Sequence, residues 1–225
     1  MPLKAVLFDN DGTLVDTYEL IMSSYRHATR EVLGAALPDA ALSAKIGQPL
    51  AVQVLDFTDD PAKQEALVKA YRAQNELWHD KTVTAFPGAL DALQRLTQAG
   101  LTLGVVTAKR HALAWHGLEI VEAAPYLSCL VGADDCTPSK PDAAPVLMAC
   151  RTLGVAPSAC AYVGDSPYDI QSGNAAGCLA VAVTWGMFSE ERLRAENPAL
   201  VCATFEELVD LLTAYEPSRK VAALS

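Results

Sequence analysis

The 225-residue chain has no stretch approaching the roughly 18 uninterrupted apolar residues from which a membrane-crossing helix is read. The apolar part of its N-terminus, MPLKAVLFDN, is too short for a secretory signal. Positive charge is scarce: 17 Lys and Arg stand against 27 Asp and Glu, a formal net charge of -10 at pH 7. Such a field repels phosphate backbones and anionic lipid headgroups, so neither nucleic acid nor a membrane surface is an expected partner, while the lack of a secretory or membrane-crossing stretch leads to the expectation of a cytoplasmic location. CxxC spacing is missing among the six cysteines, Cys129, Cys136, Cys150, Cys160, Cys178 and Cys202, several of which sit inside apolar runs. They read as reduced core thiols and not as a disulfide framework. Internal repeats and low-complexity tracts are also lacking. What the chain does have is 51% apolar composition, enough for one sizeable core or for a core domain with a modest insertion.

Lys4 to Phe8 is a short apolar run that ends abruptly at polar residues and Gly12, the pattern of a buried strand entering a loop. Leu101–Thr107, Cys129–Gly132, Cys160–Gly164 and Leu179–Thr184 repeat it. Helical patterns lie between them, Gly88–Ala99, Asp142–Leu153 and Tyr168–Ala176, each closed by a following glycine. Strands apolar on both faces and separated by helices predict a doubly wound parallel α/β sheet. From Asp16 to about Thr84 the alternation stops, and only helical patterns occur: Tyr18–Leu33, Ala40–Ile46, a short piece after Pro49, and Pro61–Trp78. The expected organisation is therefore an α/β core of residues 1–15 and 85–225 with a small helical domain, 16–84, hinged near Val15–Thr17 and Thr82–Pro87. The last ten residues, EPSRKVAALS, are expected to fray.

Open α/β sheets bind ligands beyond the carboxyl ends of their strands, and the residues there carry chemistry. Strand one ends in Asp9-Asn10-Asp11-Gly12-Thr13, the next in Thr107-Ala108-Lys109, and another in Gly164-Asp165-Ser166-Pro167-Tyr168-Asp169; Lys140-Pro141 follows the third strand. Crowded carboxylates repel unless a cation neutralises them, and hard oxygen ligands in a compact site suit Mg2+. A lone DxD is often only a solvated turn, but this one follows a buried strand and is matched by Asp165. An EF-hand fails on spacing, because Gly12 is fourth and Thr13 fifth where that loop wants an acidic or amide residue fifth and Gly sixth.

In order and spacing, DNDGT, Thr107, Lys140-Pro141 and GDSPYD resemble the four motifs of the haloacid dehalogenase superfamily of phosphatases. The resemblance spans nearly the whole chain. It implies a Rossmann-like core, Asp9 as nucleophile, and Asp11 as general acid and later base. It further implies a Mg2+ ion held by Asp9, Asp165 and the Asp11 carbonyl, with Asp169 supporting that site from behind. Gly12, Thr107, Ala108 and Lys140 would surround the phosphoryl group. The insertion resembles that superfamily's helical cap, and Ile46-Gly47-Gln48-Pro49-Leu50 is similar to the cap of phosphoglycolate phosphatases and related pyrophosphatases. The expected substrate is a small phosphorylated metabolite, phosphoglycolate first, handled by a monomer or dimer. For Asp11 to act as an acid its pKa must be raised, and its acidic neighbours are expected to raise it.

The chain departs from the resemblance at Ala108, where relatives often carry Asn, and in the KPDAAP sequence of the third motif. A hexose-phosphate mutase would share the nucleophile and acid, a phosphonatase would need a cap lysine such as Lys45 or Lys81, and a silent binding protein could keep the fold. A dehalogenase is disfavoured, since it needs neither Asp11 nor the other acids. Of the histidines, His111 and His116 do not share a helix face and His27 and His79 look isolated, so a histidine metal cluster is not expected. Lys45, Lys81, Arg26 and Arg72 read as ordinary surface cations that could reach the crevice.

Overall fold

The computed structural model describes residues 2–216; residues 217–225 of the stretch expected to fray lie outside it. The chain opens with β1 (Ala5–Phe8), whose four residues are all buried, then a short β2 (Val15–Asp16). Four helices follow: α1 (Tyr18–Leu33), α2 (Asp39–Ser43), α3 (Leu50–Gln53) and α4 (Pro61–Thr82). Pro61 occupies the first turn of α4, and the Asp60 carboxylate accepts from Ala62 N–H at 2.9 Å, so two local signals start this helix. Tyr25 of α1 packs edge-on to Phe57 and at 4.5 Å from the Tyr71 ring of α4, which gives these helices a small apolar centre of their own.

The chain returns through β3 (Thr84–Ala85), antiparallel to β2 with Val15 opposite Ala85 and Asp16 opposite Thr84. Regular alternation follows: α5 (Ala89–Gln98), β4 (Thr102–Val106), α6 (His111–Ile120), β5 (Leu127–Val131), α7 (Ala144–Leu153), β6 (Cys160–Gly164), α8 (Pro167–Ala176), β7 (Leu179–Val183), α9 (Glu190–Arg194), β8 (Leu200–Cys202) and α10 (Phe205–Thr213). The six longer-range strands form one parallel sheet in the order β5-β4-β1-β6-β7-β8, the doubly wound α/β architecture expected from the sequence.

Strand β1 sits near the middle and is buried on both faces. Val6 and Phe8 join the layer containing Leu93 and Leu96 of α5, Leu118 of α6 and Leu208 of α10. Ala5 and Leu7 point the other way, toward Val146 and Ala149 of α7. The period of two assigns alternate side chains to opposite layers. Full burial of each large one contributes about 1.5–3 kcal/mol. Helix α8 shows why its end of the sheet is well defined: Ser166 and Asp169 form a reciprocal capping box, Pro167 stands in the first turn, and Gly177 closes the helix with φ 77°.

The sequence does not signal helices α6, α9 and α10 or strands β2, β3 and β8, so the stretch expected to be only helical is flanked by a two-stranded ladder, and α4 continues to Thr82, beyond Trp78. Helix α6 lacks a side-chain N-cap bond and carries Gly117 in its interior, so its start and its propensity are both poorly signalled.

Candidate active site

Strand β1 delivers Asp9 to the carboxyl edge of the sheet, where Asp9 N–H still donates to Val163 O at 2.8 Å. The chain then curls tightly: the N–H groups of Thr13, Leu14 and Val15 all converge on the Asn10 carbonyl at 3.0–3.3 Å. Gly12 makes this curl possible, with φ +84°, and a Cβ there would lie 2.3 Å from Asp165 Oδ2. The loop after β6 is thereby packed directly against the loop after β1.

Lys140, almost wholly buried, lies between two carboxylates, 3.0 Å from Asp9 Oδ1 and 2.6 Å from Asp169 Oδ1. Toward Asp169 it is an aligned hydrogen bond; toward Asp9 it is an ion contact without that alignment, so Asp9 Oδ1 has no hydrogen-bond donor. Asp169 is better supplied. Tyr162 Oη donates to its Oδ1 at 2.9 Å, and Ser166 donates to its Oδ2 from both hydroxyl (2.6 Å) and backbone N–H (3.0 Å). Asp165 takes one donor on each oxygen, Thr13 Oγ1 at 3.1 Å and Met187 N–H at 2.7 Å. Thr107 follows β4, buried, and its hydroxyl accepts from Lys109 N–H at 3.1 Å.

These environments split the carboxyl groups. Burial, reinforced by Asp169, Asp165 and Asp11, pushes Asp9 well above the ordinary carboxylate value against the opposing pull of Lys140. Burial and Asp169 push Asp165 up to about 7 despite its donors. Asp11 goes the other way. Burial pushes it up, but the Lys109 ammonium, 3.0 Å from Asp11 Oδ1, outweighs that together with hydrogen bonds from Lys109, Thr17 and Asn10. The expectation that acidic neighbours would raise Asp11 is corrected: a cation within bonding distance counts for more than carboxylates farther off. Lys109 stands at a strand end in the sequence, but its partnership with Asp11 is not legible there, because a pair separated by 98 positions leaves no local pattern.

Asp9, Asp165 and Asp169 each offer an oxygen, all within 4.8 Å of one another. The all-oxygen set, with the donor-free Asp9 Oδ1 among them, fits a hard divalent cation such as Mg2+. Asp11 turns its carboxylate away toward Thr17 and Lys109. Asp169, saturated by protein donors, suits a supporting place.

Beside these groups lies a cavity of about 280 Å³ between the sheet edge and the helical segment, with Asp9, Asp11, Thr107, Ala108 and Lys109 on its floor. Its roof includes Gly47, Gln48, Tyr71 and Arg72. Of the four cations named in that segment, Arg72 lines this space, whereas Lys45 pairs with Asp56 at 2.7 Å, Arg26 with Asp39 at 2.6 Å, and Lys81 lies 4.8 Å from the Trp78 ring centroid. Arg110 also reaches the cavity and bonds Glu76 of α4 at 2.7 Å. The histidine reading needs correction too: His79 is not isolated, for its ring stacks on His116 across the junction of α4 and α6.

The family described as Haloacid dehalogenase-like hydrolase matches residues 6–183. A PpaX protein of Caldanaerobacter subterraneus subsp. tengcongensis is 38% identical over 198 residues, covering 88% of this chain and 89% of its own. Pyrophosphatase PpaX of Oceanobacillus iheyensis is 32% identical, covering 95% of this chain and 97% of its own. In fold, the chain is similar to a solved structure titled a predicted phosphoglycolate phosphatase from Haemophilus somnus 129pt, with TM-score 0.85, 22% identity, and coverage of 93% and 97%. No helix among the described residues is long and apolar enough to cross a membrane. With the family matched from β1 to β7 and its motifs meeting at one sheet edge, the chain belongs to the haloacid dehalogenase-like hydrolases and is a phosphatase.

Proposed function

We propose that the chain is a Mg2+-dependent phosphatase that hydrolyses a small phosphorylated metabolite, phosphoglycolate or a compound like it, through an aspartyl-phosphate on Asp9. The observation that carries this reading is the buried Asp9 carboxylate, held beside Lys140 with a donor-free oxygen and opening onto the cavity that also receives Asp11. Asp9 and Asp165 would hold the ion with the Asp11 carbonyl, and Asp169 would support it. Bound there, Mg2+ supplies charge neutralisation for the transferring group. An Asp9 oxygen forms the bond to phosphorus as the bond to the leaving oxygen breaks, and Asp11 gives that oxygen its proton. Water then attacks the phosphorus, Asp11 takes a proton from it, and inorganic phosphate leaves Asp9 free. Lys140 and Thr107 steady the phosphoryl oxygens through charge and hydroxyl.

Residues 16–84 act in this reading as a cap on a core of 1–15 and 85–225. Support comes from Gly47, whose loop reaches over the crevice so closely that a Cβ would meet Ser166 Oγ at 2.7 Å. A cavity of about 280 Å³ suits a small leaving group, and Arg72 on its lining, in no ion pair among the described residues, suits one that is itself anionic. That last feature also supports a second reading, pyrophosphate as substrate, in keeping with the Oceanobacillus relative's name. Comparing kcat/KM for phosphoglycolate, pyrophosphate, sugar phosphates and p-nitrophenyl phosphate, with and without Mg2+, separates the readings. Asp9→Asn should lower turnover by several orders of magnitude on all of them, and near-normal turnover in a folded variant would defeat the mechanism.

A further inference from the structure

The last turn of α4 and the middle of α6 meet at a second group of ligating side chains, remote in character from the carboxylates. His79 Nδ1 and His116 Nε2 each lie 3.0 Å from the same oxygen, Asp80 Oδ1. Their rings are nearly parallel, 22° apart with centroids 5.8 Å from one another. Two imidazole nitrogens from two segments thus converge on one point. A separation of 3.0 Å between ligand atoms is about the edge that bonds of roughly 2.1 Å make at right angles around one ion. Asp80 is 62% exposed, so its carboxylate can turn to make room for an ion among the three ligand atoms, which all lie within 4.8 Å of one another.

We propose that His79, Asp80 and His116 form a binding site for a borderline divalent transition-metal ion, such as zinc, nickel or copper, which clamps α4 to α6. Two imidazoles and a carboxylate are the donor set such ions prefer and Mg2+ does not. His79 is already suited to ligation: burial, ahead of the opposing Asp80 contact, holds its pKa below the ordinary value, so the ring is neutral near pH 7. Coordination through Nδ1 moves the ring proton to Nε2, a buried atom that has no partner to lose. Arg72 of the cavity wall sits on the same helix, two turns before His79, so an ion here would stiffen one side of the crevice. The clamp is independent of which phosphate compound is hydrolysed.

The test uses Ni2+ as the probe, titrated by calorimetry into the full-length, untagged protein in excess Mg2+, which saturates the carboxylate site. One saturable Ni2+ site is expected in the unaltered chain, together with slower amide exchange in the last turn of α4. His116→Ala should weaken binding by more than the roughly 10–100-fold that loss of an outer-shell partner costs. His116→Gln can still donate to Asp80, so a purely structural tie would survive it, whereas Ni2+ binding and the exchange effect should both be lost. The proposal is overturned by equal Ni2+ affinity in either His116 variant, by no saturable site in the unaltered chain, or by amide exchange in α4 that Ni2+ leaves unchanged.

Discussion

Replacing Lys109 by methionine tests whether a single ammonium holds Asp11 in the wrong protonation state for an acid. Lys109 Nζ lies 3.0 Å from Asp11 Oδ1, and the two side chains are only 10% and 17% exposed, so solvent screens the pair weakly. A hydrogen bond to a charged group contributes about 1.5–3 kcal/mol, and one pKa unit corresponds to 1.36 kcal/mol. Lys109→Met removes both the charge and the bond, and should therefore raise Asp11 from its depressed value. The assay is the pH dependence of kcat/KM on two substrates. In the proposed mechanism phosphoglycolate, with a poor leaving group, needs the Asp11 proton, so its basic limb should move to higher pH. p-Nitrophenyl phosphate hardly needs that proton, so its limb should stay. A uniform rise in KM for phosphoglycolate with both limbs unmoved would refute the reasoning and leave Lys109 a substrate ligand only. Stability offers a cross-check with a definite sign. Because the pair depresses Asp11, its stabilisation is present near neutral pH and fades as pH falls through the depressed value. Lys109→Met should thus cost stability at pH 7 and little in strong acid.

Gly12→Ala should destabilise the fold by at least about 1–3 kcal/mol, since φ is +84° and the added Cβ would sit 2.3 Å from Asp165 Oδ2; an unchanged denaturant midpoint would contradict it. Tyr162→Phe removes the hydroxyl shared between Asp169 Oδ1 (2.9 Å) and Val106 O (3.0 Å), and should cost about 1–3 kcal/mol in chemical denaturation. Activity should survive in part, because Lys140 and Ser166 still hold Asp169. Asp165 is pushed up to about 7, so binding Mg2+ must displace its proton, and affinity should fall by up to about tenfold per pH unit below that value. Calorimetric affinities that are flat from about pH 8 to about pH 6 would show that Asp165 does not bind the ion.

The parts of the fold that were legible share a physical cause. Strands β1 and β6 are short, apolar on both faces and cut off by polar loops, so their boundaries show in the sequence to within a residue. Strand β8 has three residues, and α6 has an interior glycine and no capping side chain, so neither offers enough pattern to be distinguished from loop. The same contrast holds at the crevice. Asp9, Lys140 and Asp165 were identifiable because each stands just past a strand or in a motif loop. The Tyr162 contact with Asp169 depends on how α8 folds back over the end of β6, and the Lys109 contact with Asp11 on how β4 lies beside β1. The meeting of His79 with His116 was equally invisible, because one belongs to the helical segment and the other to a helix of the sheet layer.

The small ladder of β2 and β3 bears on how such a protein could change over evolutionary time. The chain leaves toward its helices and comes back on adjacent antiparallel strands, with Asp16 and Thr84 as facing partners. Antiparallel neighbours can be joined by a turn of only two residues, so whatever lies between that pair can be lengthened, trimmed or exchanged as a cassette without altering the register beneath it. Longer replacements are tolerated as well, because each doubling of a flexible connection costs only about 0.6 kcal/mol in closure entropy. If those helices select the substrate as proposed, grafting a relative's helices between Asp16 and Thr84 would transplant one enzyme's choice of substrate onto another's proposed nucleophile. Substrate preference and bond-breaking chemistry would be inherited as separate units.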